Sequence, residues 1–218
     1  ILTVPWQCRG SLTVCEPGLK AEGKLAFGNL FPLRYNIMGP FVLVPFLECR
    51  HSIRSMKHRV WGNVSVNGKT FSFNGAEGYW EGDRGRSFPR EYVWTQCSFP
   101  EGALMLSVAD IPIVGFHFRG SIGVVVLDGR EYRFATYLGA KTSEIGNGRV
   151  KVLQGRMELE AELLEKTGKP LRAPAQGEMA RTIHESAACR ARYRFRKNGR
   201  TLLAFETDRA SFEYEYRI

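Results

Sequence analysis

The chain has 218 residues, enough for one large or two small domains, and its composition (44% hydrophobic, 24% charged) is ordinary for a globular protein. No apolar run reaches the roughly 18 residues of a membrane-spanning helix, because Gly39, Pro40 and Pro45 interrupt the longest candidate, 37–47. The net charge of +9 raises the question of nucleic-acid binding, which depends on where the basic residues lie.

Cysteine and histidine usage argues against stabilisation by disulfides or by metal. The cysteines are odd in number and contain no C-x-x-C spacing, and the histidines show no ligand spacing. We therefore predict no metal site, no cofactor and a reducing, cytoplasmic location. The chain opens at Ile1 without a basic segment and an apolar core, so secretion is not expected, and a leading segment is expected to be missing.

Short strands with turn signals between them are predicted along nearly the whole chain. Asn67-Gly68, Asp128-Gly129 and Asn198-Gly199 each separate two strand-like runs, which is a strong β-hairpin signal. This pattern predicts an antiparallel barrel or sandwich. The strand candidates are 11–16, 20–27, 41–48, 58–66, 69–73, 92–99, 104–110, 113–118, 122–127, 130–137, 189–196 and 201–205.

Three segments give a weaker signal. Residues 178–186 are predicted to form a short helix. Residues 157–166 contain strong helix formers, but their apolar residues alternate, which favours a strand. Residues 168–177 are the best candidate for a flexible connection.

The basic residues near the C-terminus alternate with apolar ones, and so do acidic residues earlier in the chain. If these runs form neighbouring strands, cross-strand ion pairs neutralise much of the basic stripe. This interpretation is favoured over nucleic-acid binding, and no nucleic-acid partner is predicted. The two sets are Arg190, Arg192, Arg194 and Arg196, and Glu158, Glu160 and Glu162.

The segment 78–97 combines glycine, charge and aromatic residues more densely than packing alone requires. On a regular strand Glu81 and Asp83 share one face, and Trp80 and Arg84 share the other. If the connection 82–90 folds back as a hairpin loop, the carboxylates converge with the next strand at one barrel end. Residues Tyr92, Trp94 and Gln96 share one face of that next strand. The alternative is a surface loop in which Asp83 and Arg84 form local turn bonds.

A second cluster begins at Glu48 and His51, where an apolar run ends in charged residues. A strand that leaves the core and ends in this way is typical of the rim of a site. Histidine can move protons near neutral pH or orient a carboxylate. The alternative is that His51 and His58 are ordinary polar residues at a strand end.

These motifs resemble the tocopherol cyclase family. The resemblance covers roughly residues 25–218 and is firmest from 38 to 99. It rests on Gly78–Pro89 with its Ser87-Phe88-Pro89, on Trp94-x-Gln96, and on the stretches 38–41, 45–51 and 55–58. It implies an all-β fold of two fused, antiparallel lipocalin-like β-barrels with few short helices. Residues 1–75 would then be the C-terminal part of a first barrel and residues 76–218 a second barrel.

The resemblance also implies a reaction, in which an alkene of a prenyl-quinol is protonated and a phenol oxygen captures the cation. The acid must stay protonated in dry surroundings, and aromatic faces help the cation by ~1–2 kcal/mol each. The implied acids are Glu81 and Asp83, with Glu48 third. The implied substrate-binding residues are Trp80, Tyr92 and Trp94 as an aromatic wall, His51 and Gln96 as partners of quinol oxygens, and Arg84 for an anionic group.

One departure from the family pattern bears on the chemistry. Plant members carry Lys-Asn-Trp-Gly where this chain has Gly82-Asp83-Arg84-Gly85. An arginine there disfavours a nearby cation unless Asp83 pairs with it. The sequence thus leaves open whether the chain cyclises or hydrates an isoprenoid-type alkene, or is a non-catalytic carrier or sensor of a lipid, quinone or pigment. In each case the expected partner is a small hydrophobic molecule, with transient membrane-surface contact compatible with a peripheral location.

Overall fold

A computed structural model of the chain describes residues 7–45, 47–113, 116–165 and 168–216. Antiparallel strands dominate these residues, which confirms the predicted all-β class. The strands are β1 (Gln7–Glu16), β2 (Leu19–Gly28), β3 (Cys49–Val66), β4 (Lys69–Gly85), β5 (Tyr92–Phe99), β6 (Gly102–Ile113), β7 (Phe116–Leu127), β8 (Arg130–Ala135), β9 (Lys141–Gly146), β10 (Arg149–Gln154), β11 (Met157–Leu163), β12 (Lys169–Ala175), β13 (Glu178–Lys197) and β14 (Arg200–Tyr214). Short 3-10 helices span Gly39–Leu43 and Thr136–Leu138.

The described residues of Ile1–Arg34 and Ile53–Glu81 form a first compact unit. Strands β1 to β4 lie in one sheet in chain order, as expected for consecutive hairpins. Asn67 and Gly68 connect β3 to β4 with φ values of 49° and 83°. Both residues tolerate positive φ, so the predicted turn is confirmed.

The described residues of Tyr35–Ser52 and Gly82–Ile218 form a second compact unit around a ten-stranded sheet. Its main path runs β8-β7-β6-β5-β14-β13-β11-β10-β9, and β12 pairs with β13. The Gln154 side chain on β10, the neighbour of the last strand β9, bonds to the backbone of β8 at the other end of this path. Its Oε1 accepts from the Ala135 amide and its Nε2 donates to the Arg133 carbonyl of β8, both at 2.9 Å.

The interior face of this sheet is a packed hydrophobic core. Its largest side chains are aromatic and at most 1% exposed, and Phe134 and Phe195 meet edge to face. The four are Phe134, Tyr193, Phe195 and Phe212. Because residues alternate along a strand, Val93, Thr95 and Cys97 of β5 face this core while Tyr92, Trp94 and Gln96 face away from it.

Several local predictions are wrong. The described residues of 41–48, which exclude position 46, do not form a strand, because Gly39 and Pro40 open a 3-10 helix instead. Residues 178–186 belong to strand β13 rather than to a helix, and 169–175 form β12, which pairs with β13. Pairing with β12 and β14 outweighs the helix propensity of this segment. The 82–90 connection is not a hairpin loop, because β4 lies in the four-stranded sheet and β5 in the ten-stranded one.

The predicted cross-strand ion pairs are confirmed. Strand β11 pairs with β13, which sets Glu160 opposite Arg194 and Glu162 opposite Arg192. The two pairs have N···O distances of 2.6 Å and 3.0 Å. The basic stripe is therefore largely neutralised by its neighbours.

In the parts of the chain that the structure describes, no helix has the length and apolar character to cross a bilayer. The predicted domain limits, 1–75 and 76–218, stay a prediction.

Candidate active site

The candidate site of the second unit begins where the ends of β3 and β4 run side by side. The Arg86 amide donates to the Glu48 carbonyl at 2.8 Å, and Ser52 Oγ donates to the Gly82 carbonyl at 2.9 Å. Any side chain at position 85 would collide with the Glu48 carbonyl oxygen, so this close approach requires Gly85.

This approach brings two predicted site residues together. His51 Nδ1 lies 2.8 Å from Asp83 Oδ1. The imidazole is 9% exposed and the carboxylate 32% exposed. The pair is thus only partly desolvated, with the carboxylate on the solvent side.

Cys49 is the third member of this group. Burial of its thiol, followed by the negative charge of Asp83 and a hydrogen bond to it, raises the pKa of Cys49 far above the ordinary value of 9.0. The charges of Glu213 and Glu48 act in the same direction. Cys49 is therefore a protonated thiol that bonds the Asp83 carboxylate, and not a nucleophile.

Glu213 is a site residue that the sequence analysis missed. Tyr92 Oη donates a hydrogen bond to Glu213 Oε2. Burial, followed by the charge and hydrogen bond of Glu213, raises the pKa of Tyr92 well above its ordinary value. Tyr92 is therefore a neutral donor that orients the carboxylate. The five residues Cys49, His51, Asp83, Tyr92 and Glu213 are called the Asp83 cluster below.

The other predicted residues of β5 lie on the same face as Tyr92. Trp94 pairs in register with Glu213, and its buried indole N–H has no hydrogen-bond partner among the described residues. Gln96 is 7% exposed, and its Nε2 donates weakly to Ser98 Oγ at 3.4 Å. Trp94 therefore offers a donor to an oxygen atom of a ligand.

A cleft of about 460 Å³ adjoins the Asp83 cluster. Phe88 reaches into the cluster by packing edge to face on Tyr92, with ring centroids 6.1 Å apart. The Arg181 guanidinium lies 5.8 Å from the centre of the same ring. The cleft is lined by Glu48, Ser87, Phe88, Arg90, Glu91, Ala175, Gln176, Arg181 and Glu215. Its volume is within the range of small-molecule sites.

The remaining predicted residues lie elsewhere. Glu48 contributes its carbonyl to the β4 contact and lines the cleft. Arg84 is exposed, and its side chain points to the opposite face of β4 from Asp83. Glu81 and Trp80 belong to the first unit, where Tyr79 Oη donates to Glu81 Oε2 and the Trp80 ring lies 5.9 Å from Phe27.

His58 of the first unit is buried, at 5% exposure, and its Nδ1 lacks a hydrogen-bond partner within the described ranges. Burial lowers the pKa of His58, which favours the neutral ring. Its ring packs edge to face on Phe27, and any side chain at Gly78 would collide with it. Across the described residues, no group of three His, Cys, Asp or Glu side chains is arranged to hold a metal ion.

Comparison with solved structures supports the fold. The chain is similar to kievitone hydratase from Nectria haematococca, with 10% identity, a TM-score of 0.52 and coverage of 94% of this chain and 64% of that one. It is also similar to an AttH candidate from Nitrosomonas europaea, with 12% identity, a TM-score of 0.47 and coverage of 92% and 65%. The chain thus spans less than two thirds of either protein. The first likeness agrees with the predicted lipocalin-like architecture.

Curated protein sequences include no match to this chain. The profile of one family, described as tocopherol cyclase-like, matches residues 15–214. That range contains both compact units almost completely, together with all the predicted site residues. The chain belongs to the tocopherol cyclase-like family.

Proposed function

We propose that the chain is an acid–base enzyme that protonates an isoprenoid-type double bond and directs an oxygen atom onto the resulting cation. The product is a closed ring when the oxygen is a phenol of the substrate, and an alcohol when it is water. The observation that carries this proposal is the Asp83–His51 pair, at 2.8 Å, within a group that also holds Tyr92 and Glu213. Family membership and the hydratase named among the structural neighbours support the same reaction class.

Asp83 acts as the acid in this proposal. Covering of the carboxyl group by the apolar substrate disfavours its charge, so Asp83 carries a proton in the substrate complex. The neutral His51 then donates from Nδ1 to Oδ1, and the proton on Oδ2 is transferred to the alkene. A C–H bond forms from the π electrons, and a tertiary cation remains on the substrate. Transfer of that proton leaves a carboxylate that keeps the hydrogen bond from His51 Nδ1 and faces the positive charge of the substrate, which favours the transfer. The bound apolar substrate excludes water from the partly exposed carboxyl group.

Glu213 acts as the base. The phenol or water oxygen forms a C–O bond to the cation, and its proton passes to the Glu213 carboxylate. Tyr92 keeps its own proton and holds that carboxylate in place. One proton enters at carbon and one leaves from oxygen, so the cycle balances once Glu213 and Asp83 exchange protons with solvent.

Recognition of the substrate follows from the same face of β5. The Trp94 indole N–H donates to a substrate oxygen, and the aromatic rings of Tyr92 and Phe88 stabilise the cation. The cleft of about 460 Å³ accommodates the part of the substrate nearest to the cluster. Arg84 points to the other face of β4, so its charge does not face the developing cation.

The test is incubation of the chain with a panel of prenylated hydroquinones in deuterated buffer under anaerobic conditions. The proposal predicts one non-exchangeable deuterium on carbon in a product with a shifted retention time. Asp83→Asn should abolish incorporation, while Asp208→Asn, which alters an exposed carboxylate of β14, should not. A quinol that binds and quenches tryptophan fluorescence without chemical change would support the carrier alternative instead.

A further inference from the structure

Some apolar side chains of the second unit are exposed without forming part of the Asp83 cluster. Leu43 is 82% exposed, the highest value among the large hydrophobic side chains of the described residues. Val42 beside it is 36% exposed, and Leu138 is 46% exposed. These three residues, called the apolar patch below, come from the two 3-10 helices.

The two 3-10 helices are in contact, so their exposed side chains lie in the same region of the second unit. The Phe41 ring packs edge to face on Tyr137 at a centroid distance of 5.4 Å, and lies 6.2 Å from Phe118. Tyr137 Oη donates to the Ile37 carbonyl at 3.3 Å, and Ile37 is 2% exposed. The contact between Phe41 and Tyr137 thus joins the two helices, while Leu43 and Leu138 remain exposed to solvent.

The chain segments that form the patch contain no acidic residue, although Glu48 and Glu144 follow directly after them. The segments 35–47 and 134–143 contain no Asp or Glu, and Lys141 is exposed three residues after Leu138. The exposed Arg50 donates from Nη2 to the Val44 carbonyl at 3.2 Å, which places a cation at the other side of the patch. The whole chain carries a net charge of +9.

We propose that the apolar patch docks on the surface of an anionic lipid bilayer. Val42, Leu43 and Leu138 would enter the boundary between headgroups and acyl chains, while Arg50 and Lys141 contact lipid phosphates. Exposed leucines flanked by cations fit this surface, because apolar insertion and attraction to anionic lipid act together in peripheral binding. A partner of positive charge or a purely polar surface would not match this patch. The inference does not depend on the proposed reaction, because binding is measured without substrate.

The experiment is sedimentation of the chain with vesicles of phosphatidylcholine alone and with one quarter phosphatidylglycerol. Wild type should bind the anionic vesicles more strongly, and added salt should weaken this binding. Leu43→Asp should lower the partition coefficient roughly tenfold or more, because a leucine that inserts into the bilayer is replaced by a charge that anionic lipid repels. Since Leu43 is 82% exposed, the variant should fold normally, which circular dichroism checks.

Met179→Asp is the matched control, because Met179 is 57% exposed and belongs to β13 rather than to either 3-10 helix. Its binding should stay within about twofold of wild type, since it adds the same charge outside the patch. Equal loss in both variants, or no binding of wild type to anionic vesicles, would overturn the proposal. Light scattering that shows a dimer in wild type and a monomer in Leu43→Asp, without vesicle binding, would assign the patch to a second copy instead.

Discussion

The second unit carries two groups of ionisable side chains that differ in their exposure to solvent. On the face shared by β11, β13 and β14, arginines pair with glutamates in register, and Arg194 is 46% exposed. In the Asp83 cluster, His51 is 9% exposed, and Cys49 and Tyr92 have strongly raised pKa values. Pairing in water stabilises little and favours the charged form of each partner, as where hydrogen bonds from Arg192 and Arg190 lower the pKa of Glu206. Partial burial beside a carboxylate instead favours the neutral forms of Cys49 and Tyr92. The same residue types thus support a charged surface in one place and a candidate site in the other.

A large change within this comparison is expected at Glu213, second only to the loss of incorporation expected for Asp83→Asn. Glu213→Gln keeps the shape of the side chain and an acceptor for Tyr92 but removes the base. We expect kcat to fall by roughly 100-fold or more, as is typical when a general base is lost. The kcat is measured by quenching the reaction at fixed times and quantifying the product formed from a quinol that the wild type converts. A kcat near that of wild type, with the variant folded, would remove Glu213 from the reaction.

Thiol reactivity reports the electrostatics of the cluster directly. Cys15 is exposed, whereas burial and Asp83 hold Cys49 as a thiol. In a Cys8→Ser background, iodoacetamide should label Cys15 at least roughly tenfold faster than Cys49 at pH 8. Asp83→Asn should accelerate labelling of Cys49, because removing the negative charge lowers the pKa of Cys49. Cys15 is the internal control, and peptide mass spectrometry reads both rates. An unchanged rate at Cys49 would contradict the Cys49–Asp83 contact.

His58 extends the comparison to a buried group without a carboxylate partner. Burial lowers the pKa of His58 in the folded state below the ordinary value of 6.5. Above that value His58 is neutral in both states, whereas below it the unfolded chain binds a proton that the folded chain resists. The stability that His58 contributes is therefore lost as pH falls below about 6.5.

The variant His58→Phe retains a ring against Phe27 but cannot titrate. The loss of free energy of unfolding between pH 7.5 and pH 5.5, measured in urea, should be smaller in this variant than in wild type. An equal pH dependence in the two proteins would show that His58 is not the group responsible.

The smallest effect is expected on the charged face. A double-mutant cycle with Arg194→Met and Glu160→Gln should give a coupling energy of roughly 0.2–1 kcal/mol, decreasing with salt. The N···O distance of 2.6 Å shows contact, but the half-exposed arginine is screened by water. Turnover should not change in either single variant. A coupling energy well above this range would contradict the expectation that water screens the Arg194–Glu160 pair.

The hairpins were predictable from sequence because their turns depend on local chemistry. At Asp128-Gly129 and Asn198-Gly199 the φ values are all positive, between 49° and 75°, a conformation that Asn, Asp and Gly tolerate. The opposite outcome occurred at 178–186, where helix-forming residues are held extended by pairing with β12 and, at Glu185 and Ser186, with β14. Local propensity cannot reveal pairing partners that lie far along the chain.

The candidate site was predictable only in part, for the same reason. His51 and Asp83 were singled out, but their contact depends on how β3 and β4 run past each other near Gly85. Glu213 gave no local signal, since it lies 121 residues from Tyr92 and resembles any acidic residue of an alternating strand. Only the pairing of β14 with β5 places it opposite Trp94.

The central claim is that the Asp83 cluster acts on substrate while the charged face only stabilises the fold. The most direct test measures deuterium incorporation and the free energy of unfolding together in Asp83→Asn and Glu160→Gln, two carboxylate-to-amide changes. We expect Asp83→Asn to lose incorporation and stay folded, and Glu160→Gln to keep incorporation with at most about 1 kcal/mol lost in stability. Undiminished incorporation in a folded Asp83→Asn variant would contradict this claim.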